Sequence, residues 1–248
     1  SDALMFYTSF NTGFKSGGFN TASPGAAPFD PEKVKTYEVG AKMDLFDRNM
    51  RLNVATFYND YKDIQVTQQV GNSRGILNGA EAETKGIELD VIALLGESFR
   101  ISGGVMLLDA EFEAFPGCEI IPPGGGVPAT PGECRGKDLP LASGFNANAA
   151  VDYITNIANG EINLNVNIYY NDGFSFDVGN NYRQESYTMV GAFASWTSSD
   201  NSYKASLFGR NLNDERVTTY VSASSTTGNI LSQYQPPRTY GMSLEYFF

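Results

Sequence analysis

The sequence contains no histidine. That removes Ser-His-Asp and Cys-His nucleophilic arrangements and every histidine-ligated zinc site. Cysteine is scarce, with 2 residues, Cys118 and Cys134, and tryptophan is scarcer, with 1. No apolar run approaches the ~20 residues that a membrane-spanning helix needs. Positive charge is in the minority: 17 Lys and Arg stand against 28 Asp and Glu, for a formal net charge of -11. Phosphate backbones require a basic face, so no nucleic acid is expected as a partner. The acidic surplus itself fits a solvated surface, acidic loops or an acidic lumen equally. No leader-like segment opens the sequence, which begins at once with a strand-like run. The chain is therefore expected to be a mature protein or a fragment.

What is present points to strands. Aromatic residues make up 13%, with 14 Tyr and 17 Phe, and there are 26 Gly. This mixture suits many strands and turns better than helices. Mean hydropathy is -0.25, which would pass for a water-soluble protein. A membrane barrel strand is polar at alternate residues, however, and that halves its apparent hydrophobicity.

Period-two alternation is the clearest signal. Ile162, Leu164, Val166, Ile168 and Tyr170 oppose Glu161, Asn163, Asn165, Asn167 and Tyr169. The rhythm recurs with Tyr37, Val39, Ala41, Met43 and Leu45 against Glu38, Gly40, Lys42 and Asp44. It recurs again around Leu52, Ile87, Ile101 and Ala149. Two stretches, residues 187–196 and 203–211, fit either phase. A soluble sheet with one buried face or a barrel strand between lipid and a wet lumen would each give this alternation.

The connections separate the two readings. Short ones fall near residues 46–49, 96–98, 156–160 and 198–201. Long ones fall near 17–33, 68–80, 113–140, 177–184 and 214–235. Outer-membrane barrels place short periplasmic turns on one rim and long external loops on the other. The expected fold is all-β, an antiparallel transmembrane β-barrel sheet of about ten strands, spanning residues 1–248. The first strand, residues 3–14, should run outward. The last, residues 239–248, should run inward, leaving the C-terminus on the periplasmic side. Tyr37, Tyr58, Tyr153, Tyr170 and Tyr246 are expected near strand ends, at the membrane interfaces.

The final strand ends in an alternating row, Tyr240, Met242, Leu244, Tyr246 and Phe248. This row looks like the assembly signal read by the barrel insertion machinery.

Here a family resemblance becomes specific. The stretch Tyr7-Thr8-Ser9-Phe10-Asn11-Thr12-Gly13-Phe14-Lys15-Ser16-Gly17-Gly18-Phe19-Asn20 is similar to the TonB-dependent receptor pattern of a strand, Gly-Phe-Lys, then Gly-Gly-Phe-Asn. Pro31-Glu32 followed by Tyr37-Glu38-Val39-Gly40-Ala41-Lys42 resembles that family's next strand, and Phe57-Tyr58-Asn59-Asp60-Tyr61 the one after. Lys85-Gly86-Ile87-Glu88-Leu89, Gly209-Arg210-Asn211-Leu212-Asn213-Asp214 and Pro236-Pro237-Arg238-Thr239-Tyr240-Gly241 continue the match in order. The resemblance implies the last strands of a barrel of about 22 strands with a plugged lumen. No plug domain or TonB-contacting segment is visible here. An open sheet edge in lipid is prohibitive. The missing strands are therefore expected elsewhere, unless the chain closes as a small barrel.

Function follows the resemblance. It implies uptake across the bacterial outer membrane of a scarce external ligand, such as a siderophore, cobalamin or a saccharide. Energy would come from TonB through the absent plug. The other partners implied are outer-membrane lipid, lipopolysaccharide and the barrel assembly machinery. The alternatives are a passive or structural barrel, an outer-membrane enzyme (disfavoured, since such proteases and phospholipases use a histidine) and a soluble β-sandwich module. No enzyme activity, cofactor or metal is expected.

Cys118 and Cys134 lie in the longest loop, and an oxidising periplasm favours their disulfide. Closing that loop would stabilise by roughly 3 kcal/mol in the chain-entropy view. Phe14, Lys15 and Phe19 on one loop, and Phe174, Phe176, Tyr182 and Arg183 on another, are candidate ligand contacts. The alternative for the first group is a plain strand-to-loop transition on the outer rim, and for the second loop packing or lipopolysaccharide contact. Glu81 and Glu83 at a strand entrance show no cleft for acid–base work. Glu38, Lys42, Asp44, Arg51, Glu88, Asp90, Arg100 and Glu161 should form a wet luminal network.

Overall fold

The computed structural model describes residues 3–21, 27–70, 73–124, 126–157, 159–223, 227 and 229–248. Parts of the connections expected at 17–33, 68–80, 156–160 and 214–235, and Gly125 in the longest loop, lie outside the described residues. Every regular element among the described residues is a β-strand. In chain order they are β1 (Leu4–Lys15), β2 (Glu32–Leu45), β3 (Met50–Val70), β4 (Ser73–Leu95) and β5 (Phe99–Ala114). Next come β6 (Pro116–Ile120), β7 (Thr130–Glu133), β8 (Phe145–Ile157), β9 (Gly160–Asn171), β10 (Phe174–Ser175) and β11 (Arg183–Gln184). The last are β12 (Tyr187–Ser198), β13 (Tyr203–Arg210), β14 (Thr218–Ala223), β15 (Ile230–Tyr234) and β16 (Thr239–Tyr246).

One antiparallel sheet of 10 strands carries the molecule, in the order β1-β2-β3-β4-β5-β8-β9-β12-β13-β16. Strands next to each other in this sheet are also successive along the chain, apart from three two-stranded hairpins, β6-β7, β10-β11 and β14-β15. All three interrupt connections at the same rim. The opposite rim holds the tight turns expected near residues 46–49, 96–98, 156–160 and 198–201. Gly96 adopts φ 65° there, and Phe46, Asp47 and Arg48 all have positive φ. In the last of these turns Asp200 accepts hydrogen bonds from the Ser198 hydroxyl at 2.6 Å and the Ser202 N–H at 3.1 Å. Those bonds hold its carboxyl below the usual range.

Register turns the alternation into two continuous faces. Leu4, Met43, Leu52, Val91 and Gly103 form one row across β1 to β5. Ala149, Ile168 and Val190 extend the same row across β8, β9 and β12. Leu207 and Met242 lie on the same face at the far edge. Its neighbours Phe6, Val39, Ile87, Leu107, Val166 and Leu244 are exposed. Among the described residues no second layer covers them, as befits a face turned to hydrocarbon with the other turned to water. The opposite face carries Glu38, Lys42, Asp90, Asn148, Asn165 and Ser243. The expected inward charges fall on it, with Arg51 paired to Asp44 at 2.8 Å. The register also resolves both ambiguous stretches. Phe193 and Phe208 face each other on the watery side, while Val190, Ala194, Trp196 and Leu207 face outward. Phenylalanine on the wet side had blurred the phase.

Aromatic rings mark two levels on the outward face. Near the tight turns, Phe99 meets Tyr153 at 4.7 Å and Tyr203 meets Tyr246 at 5.1 Å. Higher up lie Phe10–Tyr37 at 5.0 Å, Tyr37–Tyr58 at 6.4 Å and Phe145–Tyr170 at 5.8 Å. About eight residues separate Tyr153 from Phe145, roughly 26 Å along the strand and about 20 Å along the membrane normal at a tilt of about 40°. That matches an apolar band with aromatic girdles about 25 Å apart.

Two expectations need correction. Tyr37 and Tyr58 lie in mid-strand, because β2, β3 and β4 continue beyond the upper girdle. Residues 68–70 and 73–80 are strand where a long loop was expected: β3 and β4 pair as far as Val70↔Ser73. Above the girdle no lipid demands an apolar face, so the alternation fades although the strands go on.

Candidate ligand vestibule

The projecting β3–β4 hairpin organises the rim with the long excursions. A bulge between Tyr61 and Ile64, with Asp63 at φ 57°, sets the start of the projection. Tyr61, Ala82 and Phe112 lie on the watery face, and on them sits the buried cluster of the structure. Ala80, Ala82, Phe112, Phe115, Cys118 and Cys134 form its centre, and Ile64, Val66, Ile120, Leu139 and Val178 pack around them. Cys118 and Cys134 form the expected disulfide, with Cα atoms 6.1 Å apart and a sequence separation of 16. The β6–β7 hairpin is thus folded over the inner face of the wall, at its outer end.

The 172–186 excursion closes on the same hairpin. Asp177 accepts hydrogen bonds from the backbone N–H groups of Gly179, Asn181 and Tyr182, which tightens the turn. Asn181 then donates to the Ile121 carbonyl at 3.0 Å, and the Tyr182 hydroxyl donates to the Pro122 carbonyl at 2.6 Å. Arg183 bridges Asp138 and the buried Ser175, both at 3.1 Å. Phe174 and Phe176 stack edge-on at 5.1 Å. Tyr182 and Arg183 therefore brace the rim through their polar ends.

The other candidates stand apart, on the first excursion. Phe14 pairs with Lys33 on the outward face, in line with Phe6 and Phe10, and is 76% exposed. Lys15 is on the watery face opposite Glu32. Phe19 is 79% exposed next to the Gly18↔Phe29 bridge. The first group lies on β1 and the connection after it, the second on the excursion between β9 and β12, and β2, β3, β4, β5 and β8 stand between β1 and β9 in the sheet, so the structure does not merge them into one cluster.

Residues not singled out as candidates hold the first excursion down. The Asn20 side chain accepts from the Ile76 N–H at 2.7 Å and donates to the Ile76 carbonyl at 2.9 Å, like an added strand. Gln65 donates to the carbonyls of Lys15, Ser16 and Asp30. Asn78 exchanges hydrogen bonds with the Asp30 backbone. Asparagine and glutamine supply donor and acceptor together, so one side chain can satisfy both edges of a loop. In the sequence their only trace is amides clustered in loop-like segments.

Below the rim the watery face of β8 and β9 is an amide array. Asn165 donates to Asp152 at 2.8 Å and Asn167 to Asn165 at 2.9 Å. Such a surface binds by hydrogen bonds and carries no nucleophile–base pair. On the outward face, Glu83, Glu111 and Glu113 bring carboxylate oxygens within 4.8 Å of one another. Glu83 is already engaged by Lys85 and the Tyr58 hydroxyl. Beside them Lys62 is held above its usual range, first by its hydrogen bond to Glu81 and with help from Asp60.

The wall, its apolar belt and the one-sided excursions match known proteins. A family model described as "TonB dependent receptor-like, beta-barrel" matches residues 1–212. The pesticin receptor of Yersinia pestis is 25% identical over 248 residues, covering 98% of this chain and 34% of the relative. The crystal structure of the ferric yersiniabactin uptake receptor FyuA from Yersinia pestis superposes with a TM-score of 0.81 at 22% identity, over 100% of this chain and 36% of that one. The siderophore receptor PiuA from Acinetobacter baumannii superposes with a TM-score of 0.74 at 20% identity, over 98% and 34%. The chain spans about a third of the length of these proteins.

Proposed function

This chain belongs to the TonB-dependent receptor β-barrel family, and from that premise we propose that it forms part of the wall of an outer-membrane active-transport receptor. One observation carries the reading. A ten-stranded wall with a continuous outward apolar face places its long, braced excursions on one rim, in a chain the family matches over residues 1–212. The edges β1 and β16 each pair with a single neighbour. In lipid those edges must be closed by further strands. The barrel assembly machinery would engage the outward row Tyr240, Met242, Leu244, Tyr246 and Phe248 as closure proceeds.

In this reading the excursions face the outside and the tight turns the periplasm, which puts the C-terminal strand's lower end on the periplasmic side. The rim captures a scarce external ligand: a siderophore, cobalamin or a saccharide. Phe174, Phe176 and Phe19 offer apolar contact, and Lys15 on the inner face offers charge. Siderophores come first because the relatives' names carry them. A plug domain outside this chain moves against the amide array when TonB pulls on it. Exchangeable amide hydrogen bonds make a wall that holds a plug without locking it. The wall itself stays stiff, because every strand in its interior is paired on both sides. The proposed work is transport, not catalysis, which suits a sequence without histidine.

Deleting the gene should abolish growth on a ferric siderophore as sole iron source, and restoring it should rescue growth only in a strain with intact TonB. Rescue that persists without TonB would point instead to a passive pore.

A further inference from the structure

Phe19 is 79% exposed, although the backbone on both sides of it is pinned. On one side, Gly18 and Phe29 exchange backbone hydrogen bonds, both at 2.9 Å. On the other, the Asn20 side chain accepts from the Ile76 N–H at 2.7 Å and donates to the carbonyls of Ile76 and Ala27 at 2.9 and 3.0 Å. The Thr21 N–H closes back onto the Phe19 carbonyl at 3.1 Å. The two phenylalanines at this bridge are treated differently. A Cβ on Gly18 would stand 2.8 Å from the Phe29 ring, so the missing side chain lets that ring fold down. The Phe19 ring stays out. Ile76 pairs with Thr67, well beyond the girdle residue Tyr58 on β3, so Phe19 stands in water and not in hydrocarbon.

A single exposed ring on a surface needs no explanation. A ring held out on a fixed backbone is different, because a loose loop would let it turn onto nearby apolar surface. With its backbone already ordered, such a ring has only two side-chain torsions left to lose on contact. Rigid aromatic anchors of this kind dominate recognition surfaces. We propose that Asn20, together with Gly18, is a positioning residue, whose clasp on Ile76 presents the Phe19 ring to an apolar or aromatic face of the arriving ligand. Asn20 does not itself meet the ligand, since its oxygen and both of its N–H groups are engaged. The proposal rests on the transport reading above.

The test measures iron uptake by cells carrying the complete receptor, over a range of concentrations of each probe: a ferric tris-catecholate, a ferric phenolate, a ferric tris-hydroxamate and ferric citrate. For any probe that the wild type takes up through TonB, Phe19→Ala should raise the half-saturating concentration about tenfold, the worth of partly burying a phenylalanine. The maximal rate should not change. Asn20→Ala should reproduce that rise, and the double variant should be no worse than Phe19→Ala alone. Phe19→Tyr should stay near the wild type. An Asn20 that served fold stability alone would instead lower the maximal rate, through fewer folded receptors, and its effect would add to that of Phe19→Ala. Additive effects, or an unchanged half-saturating concentration in either alanine variant, overturn the assignment. If no probe enters by a TonB-dependent route, the transport reading fails, and the positioning role with it.

Discussion

Gly86 lies on the watery face of β4, where a Cβ would stand 2.6 Å from the Leu107 carbonyl oxygen and 2.7 Å from the Phe57 ring. The ring can swing aside, but the backbone oxygen cannot. Gly86→Ala should therefore destabilise the barrel by about 1–3 kcal/mol, the usual cost of overpacking. Urea unfolding in detergent would measure it, and an unchanged midpoint would contradict the close approach. Asn20 acts at the same scale on the rim. Removing its amide leaves both Ile76 backbone groups without these partners. Asn20→Ala should cost about 1–3 kcal/mol of local stability. Limited proteolysis near residues 16–21 should then accelerate while cleavage elsewhere does not. Neither role was legible in the sequence. Gly86 was visible only as part of a family pattern, and Asn20 pairs with a residue 56 positions away.

Elements were legible where lipid imposes a rule. β2, β5, β8 and β9 alternate because one face must be greasy and the other wet; the extents of β8 and β9 agree with the periodicity to within a few residues, while β2 and β5 run further toward the outer rim than the alternation does. β12 and β13 were harder, since Phe193 and Phe208 cover each other on the inner face. Only the length of the β3–β4 projection escaped the sequence, because water surrounds its end and Gln68, Gln69 and Asn78 read as loop. The disulfide hairpin was legible as a bridge but not as a packed element, because its partners Ala80, Ala82 and Val178 come from other segments. Its place outside the ten-stranded sheet makes a prediction at this scale. Cys118→Ser/Cys134→Ser removes about 3 kcal/mol of loop constraint. Trypsin should then cut readily at Arg135 and Lys137, while the melting of the sheet stays unchanged. If the sheet melts earlier, the hairpin is part of the wall's own stability and not a cap on it.

At the scale of the whole molecule, everything depends on which face meets lipid. The ten strands bury little against one another, and the buried cluster lies above the belt, so stability in the belt must come from backbone pairing and from hydrocarbon around the outward rows. Ile168 and Asn165 test this on a single strand. Ile168 is near the middle of the belt on the outward face, opposite Ala149 and Val190. Asn165 is on the inner face, hydrogen-bonded to Asp152. An arginine facing lipid near the midplane costs about 2–4 kcal/mol, and near zero in a wet lumen. Ile168→Arg should therefore lower folding stability in bilayers by that amount. Asn165→Arg should be nearly neutral, since the new cation gains the Asp152 carboxylate. The comparison keeps the introduced residue and the strand the same; strand propensity differs between Ile and Asn by about 1 kcal/mol at most, so a larger gap reports the medium on each side. Equal costs would mean that both faces meet the same environment, and the greater cost at Asn165 would invert the barrel.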